Sequence, residues 1–288
     1  MRSSIILPAF LLLMSIASAA PRIQVHGHRG ARAVRPENSL PAFAYAVEQG
    51  VDVLELDLAV TKDDVLVVSH DSSMNPAFCT GPAGSQTVIR KMTLGELRRW
   101  DCGAKANRDF PKQGAVPGTR VPTLQEVFDL VKKQGSRVEF NIETKISAAK
   151  PELTPTPERF VELVLQVVRK NGLTARVMLQ SFDYRTLHAM KKLEPKMRLS
   201  ALYPNGPMMP HRTLLELAKE SGAGIVSPHY LTVRAEEVAA AQKAGLTVAP
   251  WTANEPADWD KLIAAGVDAI ISDDPAALIA YLKAKGLR

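Results

Sequence analysis

Three carboxylates and two imidazoles carry the chemistry this sequence offers: Glu55 and Asp57 in Glu55-Leu56-Asp57, Glu143 in Glu143-Thr144-Lys145, His28 in His26-Gly27-His28-Arg29-Gly30, and His70 in Ser69-His70-Asp71. Side chains of a strand alternate between faces, so Glu55 and Asp57, two apart in an apolar run, leave the same face, and the same parity aligns Glu143 with Lys145. Gathered at one end of a fold, three such acids are hard oxygen ligands suited to Ca2+ or Mg2+, and the chain has no Cys/His quartet of the structural zinc type. The alternative use of the same acids is a salt-bridged network with Arg29 and Lys145. An imidazole both accepts and donates a proton near neutral pH, so His28 and His70 can divide the proton transfers of a displacement at phosphorus. A lone histidine at a strand end is more often structural, and the catalytic reading comes from two of them framing an acidic cluster. Arg29, through its planar fork, and Lys145, as a point charge, are candidate phosphate ligands. His26 shares the face of His28 but lies deeper, which points to a structural role.

The elements that must position these residues follow a repeating pattern. Short β-branched runs at 23–28, 51–58, 137–143, 176–181, 199–203, 224–228, 247–251 and 269–272 alternate with amphipathic stretches at 39–49, 124–133, 157–170, 183–193, 213–220, 235–244, 256–265 and 275–285. Alternation of this kind predicts βα units around a parallel sheet, and eight units predict a closed α/β barrel, the TIM (β/α)8 fold. An open doubly wound sheet would want a Gly-rich nucleotide fingerprint after its first strand, and Gly27-His28-Arg29-Gly30 is not one. In a barrel, the polar ends of the first strands would face one mouth, where active sites of this fold lie.

The pattern is interrupted once. After a tight turn at 61–64 and a further strand-like run at 65–69, residues from about 72 to 120 read as a small inserted cap segment following the second strand region. It holds a capped helix candidate at 93–100 and both cysteines, Cys79 and Cys102, which an oxidising compartment would allow to pair as a disulfide.

Export is the expectation from the N-terminus. Arg2, an apolar run over 5–16 and the small residues Ala17-Ser18-Ala19-Ala20 have the layout of a signal peptide, residues 1–19, with cleavage before Ala20. The protein would then be periplasmic in a Gram-negative source and secreted otherwise. No later apolar run is long enough to span a bilayer, so no stable membrane insertion is expected of residues 20–288, the barrel domain. A formal charge of +6 without a block of like charges argues against a nucleic-acid partner and gives a mild field favourable to anionic substrates.

The motifs in order, His28-Arg29-Gly30, Arg35-Pro36-Glu37-Asn38-Ser39, Glu55-Leu56-Asp57 and His70-Asp71, resemble the glycerophosphodiester phosphodiesterase family. Val121-Pro122-Thr123-Leu124, Asn141-Ile142-Glu143 with Lys145, Gln180-Ser181-Phe182, and Trp251-Thr252 with Asn254 continue the resemblance to the end of the chain. It implies a TIM barrel, a divalent metal on Glu55, Asp57 and Glu143, acid/base roles for His28 and His70, phosphate contacts from Arg29 and Lys145, and an apolar wall from Trp251. The implied substrate is a small glycerophosphodiester, cleaved to sn-glycerol 3-phosphate and an alcohol. Two positions depart from the family pattern: Asp64 stands where a turn glycine is usual, and Thr144 where an aliphatic residue is commoner. Two other readings keep the same residues, a phospholipase D-like enzyme for lysophospholipids and a phosphodiester-binding protein without turnover. Phe78, Trp100 and Phe110 bear on the first of these, as an acyl groove or as packing within the insertion.

Overall fold

The computed structural model describes residues 22–206 and 209–288; the signal-peptide expectation for 1–19 falls outside them. Nine strands are formed among the described residues: β1 (Gln24–Gly27), β2 (Val53–Val60), β3 (Leu66–Val68), β4 (Glu139–Thr144), β5 (Val177–Ser181), β6 (Arg198–Tyr203), β7 (Ile225–Pro228), β8 (Thr247–Val248) and β9 (Ala269–Ser272). Eight of them run parallel in the order β8-β7-β6-β5-β4-β2-β1-β9, and β3 pairs antiparallel with β2 off that path. The two ends meet through Asp268 N to Val248 O and Ile271 N to Pro250 O, both 3.1 Å, so the sheet nearly closes into a TIM barrel.

Alternation along β2 shows why the sequence rolls up this way. Leu54, Leu56 and Leu58 face outward and join the main core with Phe43, Phe140 and Phe160 beneath the helices. Val53 faces inward with Met178, Ile225, Ala249 and Ala269 as a small apolar plug at the N-terminal end of the barrel. Every residue of β2 is buried, as a parallel strand covered on both faces requires. Helix starts follow their sequence signals: Thr123 and Glu126 form a reciprocal capping box on Leu124–Lys133, and Pro157 opens Pro157–Lys170 behind Thr156.

Two elements are shorter than the pattern predicts. The run 247–251 is strand only to Val248, because Pro250 has no N–H for a ladder; Trp251 keeps a single bridge to His229. The helix expected at 93–100 is regular only over Leu94–Leu97, then tightens into i to i−3 bonds at Arg99 and Trp100.

The insertion has a core of its own. Met74, Ile89, Met92, Leu97 and Trp100 pack on Ala59 and Val67 of the β2–β3 hairpin, and a disulfide joins Cys79 to Cys102. Trp100 is therefore packing rather than groove lining. The residues that depart from the family pattern have structural work. Asp64 takes a left-handed turn, φ 59°, and its carboxylate pairs with Arg90 of the insertion at 2.7 Å and with Arg159 at 3.0 Å. Thr144 is buried with its hydroxyl 2.9 Å from that of Thr186.

Candidate active site at the C-terminal mouth of the barrel

The chain leaves β1 through a turn that calls for glycine at positions 27 and 30. A Cβ on Gly27 would lie 2.2 Å from the carbonyl oxygen of Gly30, and Gly30 itself sits at φ +83° against Ala42. Arg29 between them adopts φ 48°, an uncommon and mildly strained conformation for a residue that carries a Cβ. In return its backbone N–H donates to Glu55 Oε2 at 2.8 Å, and its guanidinium reaches Glu37 at 2.7 Å and Asp57 Oδ2 at 3.3 Å.

β2 and β4 bring the three carboxylates together. In their parallel register Asp57 stands beside Glu143, and one ligand oxygen from each of Glu55, Asp57 and Glu143 lies within 4.8 Å of the others. Each is oriented by neighbours. Gln180 Nε2 donates to Glu55 Oε1 at 2.7 Å, and Asn141 Nδ2 in turn donates to Gln180 Oε1 at 2.8 Å. Asn38 Nδ2 donates to Asp57 Oδ2 at 2.8 Å, and Lys145 Nζ lies 2.7 Å from Glu143 and 3.8 Å from Asp57 Oδ1. Arg29 and Lys145 thus meet carboxylates as well as the cleft.

Burial divides the three acids electrostatically. Glu55 is pushed well above the usual carboxylate range by burial, then by the charges of Asp57 and Glu143. Glu143 is raised mainly by burial, against the opposing pull of Lys145. For Asp57, burial acts in the same upward direction, but Arg29 and Lys145 outweigh it and hold the acid below its ordinary range. Two nearby cations do not balance three acids, and Asp57 Oδ1 is buried with no hydrogen-bond donor. An acidic cluster with surplus charge and an orphaned oxygen fits a divalent cation.

His28 and His70 open on the same cleft, of about 210 Å³, together with Arg29, Glu55, Glu143 and Lys145. His28 Nε2 stands 3.9 Å from Glu55 Oε2, and its Nδ1 lies 2.5 Å from Asp273. Burial, only partly offset by Asp273, lowers the His28 pKa. His70 follows β3, more exposed, with Nδ1 2.8 Å from Asp71; Ser69 N to Asp57 O, 2.9 Å, ties this segment to β2. Trp251 forms a wall of the cleft, its indole N–H donating to Ser227 O at 2.9 Å and its ring edge-on to Phe182 at 5.3 Å between centroids. His26 lies below the cleft, buried, with neither ring nitrogen hydrogen-bonded. A larger bowl of about 1070 Å³ opens at the opposite mouth, where His26 and Asp268 line it and none of the three clustered acids does.

Sequence reasoning missed Asp273 and gave Asn254, Gln180 and Asn38 no role beyond membership of motifs. The signal for Asp273 was available: Ser272-Asp273 ends a strand in the same polar manner as the others.

Residues 28–277 match the profile of the glycerophosphoryl diester phosphodiesterase family. A glycerophosphodiester phosphodiesterase of Caldanaerobacter subterraneus subsp. tengcongensis is 33% identical over 262 residues, spanning 91% of this chain and 98% of the relative. A Silicibacter pomeroyi structure described as a candidate glycerophosphoryl diester phosphodiesterase superposes with TM-score 0.85 at 31% identity, covering 92% of this chain and 95% of that one. An Oleispira antarctica phosphodiesterase, solved with the product sn-glycerol-3-phosphate, shares the fold at TM-score 0.74 and 23% identity, over 91% of this chain and 97% of its own. Profile and relatives extend across nearly the whole barrel, so the chain belongs to the glycerophosphoryl diester phosphodiesterase family and hydrolyses glycerophosphodiesters.

Proposed function

We propose that the chain releases sn-glycerol 3-phosphate and an alcohol, using a divalent cation, Ca2+ or Mg2+, on Glu55, Asp57 and Glu143 and His28 with His70 as the proton-transfer pair. The observation that carries this reading is the cluster of three buried acids, two of which, Glu55 and Glu143, line one cleft with both imidazoles. The cation would supply positive charge to neutralise the phosphodiester as it is attacked. One imidazole takes the proton of the attacking oxygen as a new P–O bond forms, either that of water directly or that of the neighbouring glycerol hydroxyl, whose cyclic phosphate a water then opens; the other gives a proton to the departing alcohol as its P–O bond breaks. Arg29 and Lys145 face the phosphoryl oxygens from the cleft wall, where charge develops in the transition state. Trp251 presents an apolar surface to the carbon skeleton of the substrate. Export to an oxidising compartment goes with the Cys79–Cys102 bridge, since such bonds persist there.

Release of sn-glycerol 3-phosphate from glycerophosphocholine tests the reading, before and after chelation and with single metals restored, beside lysophosphatidylcholine as the competing substrate. Chelation should abolish turnover, and His28→Ala and His70→Ala should each lower it by roughly two to four orders of magnitude. Full turnover by the chelated, dialysed enzyme would remove the metal from the reaction, and near-normal rates in both variants would remove the histidines.

A further inference from the structure

Of the two cleft imidazoles, His28 has a partner built for it. Asp273 follows β9 directly, is 3% exposed, and places Oδ1 2.5 Å from His28 Nδ1. The backbones are tied as well, through His28 N to Ser272 O at 2.9 Å. The carboxylate is gripped from its remaining sides. Asn254 Nδ2 donates to Oδ2 at 2.7 Å, Asn254 Oδ1 accepts from the Asp273 backbone N–H at 2.9 Å, and Arg32 Nε makes an ion pair with Oδ1 at 2.9 Å. Burial alone would favour the neutral acid, but His28, Arg32 and Asn254 outweigh it and keep Asp273 below its ordinary range. An ionised carboxylate only accepts, so the hydrogen in the short contact belongs to His28 Nδ1, and Nε2 is the nitrogen left for the cleft. The other pair is looser: Asp71 is the immediate sequence neighbour of His70, and its side chain is 47% exposed.

We infer that Asp273 is the positioning residue of this reaction, fixing His28 in its Nδ1-protonated form with Nε2 toward the phosphodiester, while Asn254 and Arg32 fix Asp273. The inference rests on the proton-transfer role proposed for His28. Asp273 itself forms no bond to substrate and keeps its charge throughout. The insertion braces the arrangement, since the Phe110 ring lies 4.5 Å from the Arg32 guanidinium carbon and Gln113 Nε2 donates to Arg32 O at 2.6 Å. The proposed cap is thus joined to a cleft histidine through one arginine and one aspartate.

A double-mutant cycle on glycerophosphocholine hydrolysis at saturating divalent cation tests this, with His28→Ala, Asp273→Asn and the double variant, and a thermal midpoint for each. In the comparable serine-protease arrangement, the Asp→Asn change costs about 10⁴ in kcat. Asp273→Asn should therefore lower kcat by about 10²- to 10⁴-fold with KM within about threefold. In the His28→Ala background it should cost no more than about twofold further, because its effect passes through the imidazole. A multiplicative double variant, or Asp273→Asn at near wild-type kcat while His28→Ala collapses, overturns the inference alone. A near wild-type rate in His28→Ala overturns the histidine role on which it stands. Should Asp273→Asn fail to fold, Asn254→Ala removes one arm of the grip and should lower kcat by about tenfold at unchanged KM; an unchanged kcat there also overturns the inference.

Discussion

Replacing His26 tests whether the floor of the barrel has to stay neutral. The ring is 1% exposed, with neither nitrogen bonded, and burial draws its pKa from the ordinary 6.5 to about 4, only partly opposed by Asp52. The unfolded chain takes up a proton as pH falls through 6.5, whereas the folded chain refuses it until about pH 4. The stability is therefore fully present above pH 6.5 and is lost as pH falls toward the folded value. At about 1.4 kcal/mol per pH unit, that interval corresponds to roughly 3 kcal/mol. His26→Leu has no proton to refuse and also removes two unpartnered polar atoms from the interior, worth about 1–3 kcal/mol on its own. The variant should match or exceed the wild type at pH 7.5, and its advantage should widen by roughly 6–12 °C in thermal midpoint between pH 7.5 and pH 4, at about 2–4 °C per kcal/mol. Thermal melts of both proteins across that pH range provide the measurement. Parallel curves for the two proteins would refute the argument, because they would show that His26 is solvated or bonded in the folded state.

Two further perturbations bear on the cleft and its cap. Changing Cys79 and Cys102 to serine opens a loop of sequence separation 23, and should lower stability by roughly 3 kcal/mol, seen as a lower thermal midpoint that no longer responds to reductant. Gly27→Ala drives a methyl group into the Gly30 carbonyl, 2.2 Å from where the new carbon would stand, so the His28-Arg29 turn must move. A displacement of about an ångström there should cost about 10²-fold in kcat, and retention of wild-type kinetics would show that the turn has slack.

Much of the barrel is legible because its parallel strands are buried on both faces and read as apolar runs, with helices between them marked by their own caps at Thr123, Thr156 and Gly266. Parity alone puts Glu55 beside Asp57 and Glu143 beside Lys145. It is silent on partners contributed by distant strands. Asp273 meets His28 only because β9 pairs with β1 when the sheet closes, a contact across 245 positions. Local pattern also missed the early end of β8, where Pro250 brings no N–H to the ladder and offers only its carbonyl, to Ile271 N. The double engagement of Lys145 with Glu143 and Asp57 depends on the β2–β4 register, which no single-strand reading fixes.

The placement of strain connects the fold to the site. Among the described residues three non-glycine positions have positive φ: Arg29, Asn38 and Asp64. The first two lie in the loop that leaves β1, and each directs a donor onto the acids of β2, Arg29 through its N–H to Glu55 and Asn38 through its amide to Asp57. Asn38 N also bonds Arg29 O at 3.0 Å, so the two strained residues hold one another. Left-handed backbone costs of order 1 kcal/mol at each and persists where surrounding structure over-determines it. Relaxing either residue would leave a buried carboxylate oxygen short of a donor, a loss of about 1–3 kcal/mol that offsets the strain. The twisted loop therefore persists once the acids are buried, and the demand for a buried acidic cluster at the barrel mouth is what fixes the backbone that carries His28.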